Sequence, residues 1–280
     1  MRKCIAFHSY KGGTGKTTLA ANFAALLAKK GYKVFLLDFD VYSPSLQSYF
    51  EIDPKKWIND FLFEKAELEE VLMDLTPLIE GGEGSGKSTG GLWVGFSNAK
   101  KEEIFKLEGM SSRLNVFRRF ILLRDLLSYQ YEADYIIIDT SPGMRYWSIN
   151  ALVVADILLL ILKITDLDIA GTRALVTEIY ASLTKFGAMC FLLSNRVSGY
   201  CLPHVLESRR SLPINEQLTE TDMHNFLMNE TGMKVLSTFP CYCDIQFSRK
   251  EFLTVLNQPE HLRTYLYLVF KQVEKLQIYG

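Results

Sequence analysis

The sequence predicts an α/β protein: a doubly wound, mostly parallel sheet of about seven or eight strands with helices on both faces. Two observations carry that expectation. Short apolar runs rich in β-branched and aromatic residues recur along the chain, and longer helical stretches separate them. The runs also lack apolar–polar alternation, which is the pattern of strands covered on both faces.

Lys3–Ser9 opens the series as a strand, and Lys16–Lys30 follows it as a helix. Lys33–Phe39 and Leu92–Phe96 are the next strands. The glycine-dense, polar stretch at 81–91 between them reads as a flexible loop. Ser111–Tyr129 has helical character and leads to the strand Tyr135–Asp139. Asp156–Ile164 is a further buried strand, Asp168–Phe186 a helix, and Ala188–Ser194 a strand. A helix over roughly Glu216–Glu230 and a strand over Met233–Phe239 come next. A closing helix, about Glu260 to Gln277, places Leu262, Leu266, Val269, Val273 and Leu276 at core-stripe spacing. The length and the even rhythm suggest one domain over residues 1–280.

Bulk composition narrows the function classes. The 280 residues are 48% hydrophobic and 22% charged with a formal net charge of −1, so the whole molecule has no strong pull toward nucleic acid or acidic lipid. The apolar stretch near Met1 is too short for a signal peptide. No run approaches the ~18–20 apolar residues of a membrane span. Five cysteines form an odd, sparse set, expected to be reduced thiols of a cytoplasmic protein.

Two loops compete for phosphate. Gly81 to Ser88 satisfies the spelling G-x-x-x-x-G-K-[ST] outright, whereas the loop at Lys11 has Tyr10 in place of the first glycine. Context reverses the ranking. A phosphate cradle needs a strand that delivers the loop and a helix whose free N–H groups and positive end face the anion. Lys11-Gly12-Gly13-Thr14-Gly15-Lys16-Thr17-Thr18 has both, while the second loop is followed by Gly90-Gly91 and a strand. Backbone N–H groups of Gly13 to Thr18 would wrap a β-phosphate. Lys16 would neutralise β/γ oxygens, and the Thr17 hydroxyl would hold Mg²⁺.

Acids stand where such a site needs them, beyond the carboxyl ends of strands. Asp38 and Asp40 close the second strand at i and i+2. In Tyr135-Ile136-Ile137-Ile138-Asp139, four apolar residues deliver an aspartate in the Walker B manner, toward Mg²⁺. Gly143, four residues on, would let its N–H approach a γ-phosphate because it lacks a Cβ that would collide.

The spelling Lys11-Gly12-Gly13-x-Gly15-Lys16-Thr17 resembles the deviant Walker A loop of the ParA/MinD group of P-loop ATPases, which includes Mrp-type and nitrogenase-iron-protein-like members. Asp139-x-x-Pro142-Gly143 is similar to that group's second switch, and Asp38-x-Asp40 with Pro44-Ser45 is similar to its Mrp-like branch. The resemblance implies that Lys11 reaches across an ATP-bound homodimer to the partner's nucleotide. It implies Asp38 in the water shell of Mg²⁺ and Asp40 orienting the attacking water. It also implies that Asn195, Arg196 and Pro240 surround the adenine base. The expected cofactors are Mg²⁺ and ATP as substrate, and the expected partner is an unidentified activating protein. DNA or a membrane surface is a further possible partner that charge does not indicate, with a cytoplasmic location extending to the nucleoid or membrane periphery.

The expected use of such a cycle is the spatial positioning or partitioning of a cellular cargo. Two alternatives stay open: a metal-cluster carrier or metal-insertion ATPase working through Cys241 and Cys243, and a non-catalytic nucleotide-gated binding module. Cys241-Tyr242-Cys243 could form half a four-sulfur site across a symmetric dimer, or be small buried residues. Arg113, Arg118, Arg119 and Arg124 share no helical stripe and read as a solvated face. The closing helix reads as a packed element rather than a basic anchor. His8 reads as a packed core residue.

Overall fold

The computed structural model describes residues 2–50, 52–80, 90–98, 100, 113–197, 220–240 and 261–276. Its strands are β1 (Lys3–His8), β2 (Lys33–Phe39), β3 (Leu72–Asp74), β4 (Gly91–Gly95), β5 (Tyr135–Thr140), β6 (Ile157–Leu162), β7 (Met189–Val197) and β8 (Val235–Pro240). They form one eight-stranded sheet in the order β3-β4-β2-β5-β1-β6-β7-β8. Every pairing is parallel except β3 with β4.

The helices follow the same alternation. α1 spans Lys16–Lys29, and four short helices precede β4: α2 (Leu46–Phe50), α3 (Ile58–Leu62), α4 (Leu68–Val71) and α5 (Thr76–Glu80). α6 (Arg113–Asp125) continues through a π-helical turn, Leu126–Gln130. α7 is Tyr146–Val153. α8 (Asp166–Leu175) runs on through a π-turn, Val176–Tyr180, to Lys185. α9 (Glu220–Thr231) and α10 (His261–Lys275) complete the described set.

Strand periodicity divides the core into two layers. Along β1, Cys4 and Ala6 belong to one cluster and Ile5 and Phe7 to the other. β6 does the same, with Leu158, Leu160 and Leu162 opposing Ile157, Leu159 and Ile161. All these side chains are almost completely buried, which explains why the strand sequences carry no polar alternation. α1 packs under the sheet with nearly its whole surface covered. α10 joins it through buried Leu266, Val269, Phe270 and Val273, as expected of a packed closing helix.

Several expectations need adjustment. β3 and the helices α2 to α5 and α7 are absent from the sequence reading, because each is short and lacks a full period of pattern. Gly91, assigned to the flexible loop, is buried and begins β4. A Cβ at Gly90 would collide with the backbone of Gly31 and Tyr32, so that glycine serves a close chain approach. The rest of the loop, 81–89, lies outside the described residues, as do Cys201, Cys241 and Cys243. Arg119 and Arg124 are not a solvated face. Arg119 donates to the Phe61 carbonyl oxygen at 2.7 Å and covers the Phe61 ring, and Arg124 pairs with Asp156 at 2.6 Å. Among the described residues no helix is long and apolar enough to cross a membrane.

Candidate functional site

The site lies at the carboxyl edge of the central strands. β1 delivers the chain to the loop, and α1 leaves it with Gly15 as N-cap in the left-handed region, φ 89°. No side chain caps that terminus, so its first N–H groups remain available to an anion. Gly15 is required twice over: its φ disfavours L side chains, and a Cβ there would collide with Asn195 Nδ2. Gly13 is also left-handed, φ 74°. Tyr10, at the position of the missing first glycine, lays its ring against Gly171 of α8, where any Cβ would clash with it. The unconventional spelling therefore anchors the loop entrance to a neighbouring helix.

A cleft of about 540 Å³ opens over this turn. Gly12 to Thr18 form its floor, and Ser9, Asp40, Ser141, Pro142 and Arg196 are among its walls. Beneath it, register sets Asp38 of β2 directly beside Asp139 of β5. Lys16 Nζ lies 2.8 Å from Asp139 Oδ1 and 3.8 Å from Asp40 Oδ2. The Asp40 N–H donates to Asp38 Oδ1 at 2.9 Å, and Ser141 Oγ donates to Asp40 Oδ1 at 2.9 Å. Three carboxylates and one ammonium thus share a pocket almost closed to solvent.

Electrostatics follow from that crowding. Burial, reinforced by the charge on Asp139, holds the Asp38 carboxyl well above the usual carboxylate range. Burial also raises Asp139, although the Lys16 ammonium and the Thr17 hydroxyl pull against it. Burial would lower Lys16, but the attraction of Asp139 and Asp40 wins and its ammonium is held above its ordinary range. Behind them, burial and then Lys16 push His8 down to about 3, so it is neutral. Its Nδ1 lies 2.7 Å from Thr140 Oγ1, whose own proton goes to the Phe7 carbonyl. The imidazole proton is therefore assigned to Nδ1, and Nε2 has no partner.

The donor set fits a hard divalent cation. Asp38 Oδ2 and Asp139 Oδ2 are buried without hydrogen-bond partners, and the Thr17 hydroxyl bonds to Asp139. Among the described residues no three His, Cys, Asp or Glu side chains gather into a self-sufficient metal site. Mg²⁺ needs only one or two carboxylates when phosphates complete its shell. Thr17, Asp38 and Asp139 meet that requirement.

Other predicted residues are placed as follows. Asn195 is buried and donates to the Thr14 carbonyl oxygen at 2.7 Å, bracing the loop. Arg196 has φ 56° and lines the cleft. Pro240 ends β8 opposite Val197, and its side chain lies outside the described residues. Lys11 is partly exposed and is absent from the walls of its own chain's cleft. Gly143 has φ 78°, and its N–H donates to the Ser9 carbonyl oxygen at 2.8 Å. A Cβ there would approach the Tyr10 carbonyl oxygen at 3.5 Å, an ordinary contact, and the left-handed backbone by itself favours glycine. The sequence reading missed Tyr42, Tyr49 and Arg145 in the cleft. Tyr49 Oη lies 2.7 Å from Thr18 Oγ1. No local motif announces these residues, because their placement depends on α2 and the start of α7.

Comparison with known proteins bears on the family and the fold. A family model described as an AAA domain matches residues 2–186. The flagellum site-determining protein YlxH of Helicobacter pylori is 33% identical over 145 residues, 51% of this chain and 42% of that protein. An iron-sulfur cluster carrier protein of Aquifex aeolicus is 54% identical over 50 residues, 18% of this chain and 14% of that one. The chain thus matches less than half the length of either of these curated relatives. Among solved structures, the septum site-determining protein MinD of Pyrococcus horikoshii, complexed with Mg-ADP, superposes with a TM-score of 0.70. That likeness covers 98% of this chain and 97% of the other at 19% identity, and speaks to the fold.

Proposed function

We propose, from the premise that this chain belongs to the AAA-domain family and to its ParA/MinD-like deviant Walker A group, that it is a Mg-dependent ATPase acting as an ATP-gated dimer switch. Its role in this reading is to position or partition a cellular cargo through an activating partner protein. One observation carries the enzymatic part. Lys16, Asp139, Asp38 and Asp40 meet beneath a glycine turn at the head of an uncapped helix, with the cleft above them.

The residues divide the work by position. The N–H groups from Gly13 to Thr18 bind phosphate oxygens, and Lys16 exchanges part of its carboxylate pairing for the β/γ oxygens. Bound Mg²⁺, held by Thr17 with Asp38 and Asp139, would neutralise developing phosphate charge. Asp40 is held by Ser141 and by the Ser43 N–H at 3.2 Å, at the cleft wall where it can orient a water. Lys11 is directed to the partner's nucleotide, in keeping with its absence from its own cleft. Asn195, Arg196 and Pro240 form the base end, and Gly143 reaches the terminal phosphate once its bond to Ser9 is exchanged.

Two variants test this reading. Lys16→Ala should lose Mg·ATP binding or hydrolysis. Asp40→Ala should bind Mg·ATP, dimerise on size-exclusion chromatography and release no phosphate. Wild-type turnover by Asp40→Ala would remove the water-orienting role. The likeness to an iron-sulfur cluster carrier favours a second reading, in which Cys241 and Cys243 carry metal. Metal analysis of anaerobically purified protein decides it, since absence of stoichiometric metal excludes a carrier.

A further inference from the structure

The cleft contains a cation with no part in the scheme above. Arg145 stands between the Asp139 strand and α7, two residues after the left-handed turn at Gly143. It is solvent-exposed, yet it lines the cleft together with Asp40, Tyr42 and Ser141. Its guanidinium carbon lies 4.7 Å from the centroid of the Tyr42 ring. Its backbone is fixed by the first helical bond of α7, from the Ile149 N–H to its carbonyl at 2.9 Å. No carboxylate of the described residues pairs with it within 4.0 Å, whereas Lys16 in the same cleft is paired with Asp139 at 2.8 Å.

The position matters more than the charge. Asp40 and Ser141 are hydrogen-bonded to each other, and Lys16 Nζ lies 3.8 Å from Asp40. Since Lys16 serves the β/γ end of a phosphate chain, the Asp40–Ser141 wall is where a terminal phosphoryl group arrives. A planar guanidinium on that wall meets equatorial phosphate oxygens with paired N–H donors, which an ammonium cannot imitate. Resting on an aromatic face leaves those edge donors unspent and restricts the side chain's freedom in advance.

Building on the ATPase reading, we propose that Arg145 is a catalytic residue supplied in cis: its guanidinium binds the terminal phosphoryl oxygens as negative charge develops on them, and Tyr42 holds it ready. The water oxygen forms its bond to the γ-phosphorus while the bond to the bridging oxygen breaks, its electron pair leaving with ADP. The water's proton passes to the phosphate product and solvent. Arg145 stays protonated throughout and neither gives nor takes a proton.

The test compares wild type with Arg145→Ala, Arg145→Lys, Tyr42→Phe and Tyr42→Leu in single-turnover Mg·ATP hydrolysis. Calorimetry measures Mg·ADP binding in the same proteins, with and without aluminium fluoride, a planar mimic of the phosphoryl group in flight. Arg145→Ala should lower kcat by roughly 10²–10³-fold, the loss typical of one transition-state donor. Mg·ADP affinity should stay within about threefold, while the extra affinity that aluminium fluoride confers on wild type disappears. Arg145→Lys should recover only part of the rate. Tyr42→Leu, which removes the ring face, should lose roughly three- to tenfold, and Tyr42→Phe, which keeps it, should lose less than Tyr42→Leu. Wild-type kcat and fluoride enhancement in Arg145→Ala would overturn the proposal, as would a change confined to KM. If wild type takes up no Mg·ATP, the ATPase reading itself falls, a result distinct from the Arg145 outcome.

Discussion

Replacing Asp38 by Asn should stabilise the metal-free protein while disabling its site. Asp38 is fully buried, stands beside Asp139, and has one carboxylate oxygen without a partner. The Lys16 ammonium is committed to Asp139 and, more distantly, Asp40, so Asp38 is the least compensated of the three acids. Asn retains the Oδ1 acceptor that serves the Asp40 N–H and removes the charge. An uncompensated buried polar group costs about 1–3 kcal/mol, more for a charged one, so a gain of that order is expected. Each kcal/mol corresponds to about 2–4 °C in Tm for a domain of this size.

The pH dependence fixes the cause. Burial and Asp139 raise the folded-state pKa of Asp38 above its unfolded value of about 3.9. The folded form therefore binds an extra proton between those two values, and stability falls as pH rises through that window. The Asn variant's advantage should be largest at pH 8 and shrink as pH is lowered toward the unfolded value. Urea unfolding in EDTA, followed by circular dichroism across that range, measures it. In a parallel titration without EDTA, Mg·ATP should stabilise wild type and leave the variant unchanged. A variant less stable than wild type at pH 8, or a gain that does not vary with pH, would refute the reasoning.

Two further outcomes test the surroundings of the site. His8 is held neutral with a pKa of about 3, so protons taken up by the unfolded chain below about 6.5 destabilise the fold on the order of 1 kcal/mol per pH unit. His8→Phe leaves the Thr140 hydroxyl bonded to Phe7 and should flatten that slope in acid titrations monitored by tryptophan fluorescence. Gly15→Ala forces a side chain into φ 89° and against Asn195, which should cost about 1–3 kcal/mol in thermal melting and abolish nucleotide binding.

Legibility in the sequence follows burial. Strands covered on both faces must be continuously apolar, so β1, β2, β4, β5, β6 and β7 were visible as apolar runs. β8, an edge strand with Ser237 and Thr238 inside it, was visible through its β-branched and aromatic residues. β3 has only three residues at an antiparallel edge, half exposed, and offers no run to recognise. α2 to α5 are each four or five residues long, too short for a helical stripe to repeat. The phosphate turn was legible because strand, glycines, lysine and helix are consecutive in the chain. Its acids were legible because they follow apolar runs. Tyr42, Tyr49 and Arg145 were not, since they reach the cleft through tertiary placement. Asn195 was named through the family resemblance alone, and its bond to the Thr14 carbonyl, which spans most of the chain's length, was not legible. Tyr10 departs from the usual spelling for a reason visible only in three dimensions, its packing on Gly171.

Isothermal titration of folded protein with Mg·ATP, paired with Lys16→Ala, probes the heart of this account. Saturable uptake at one site per chain, lost when the ammonium that bridges Asp139 and Asp40 is removed, is the predicted result. No heat from properly folded wild type, or undiminished binding by Lys16→Ala, would contradict it.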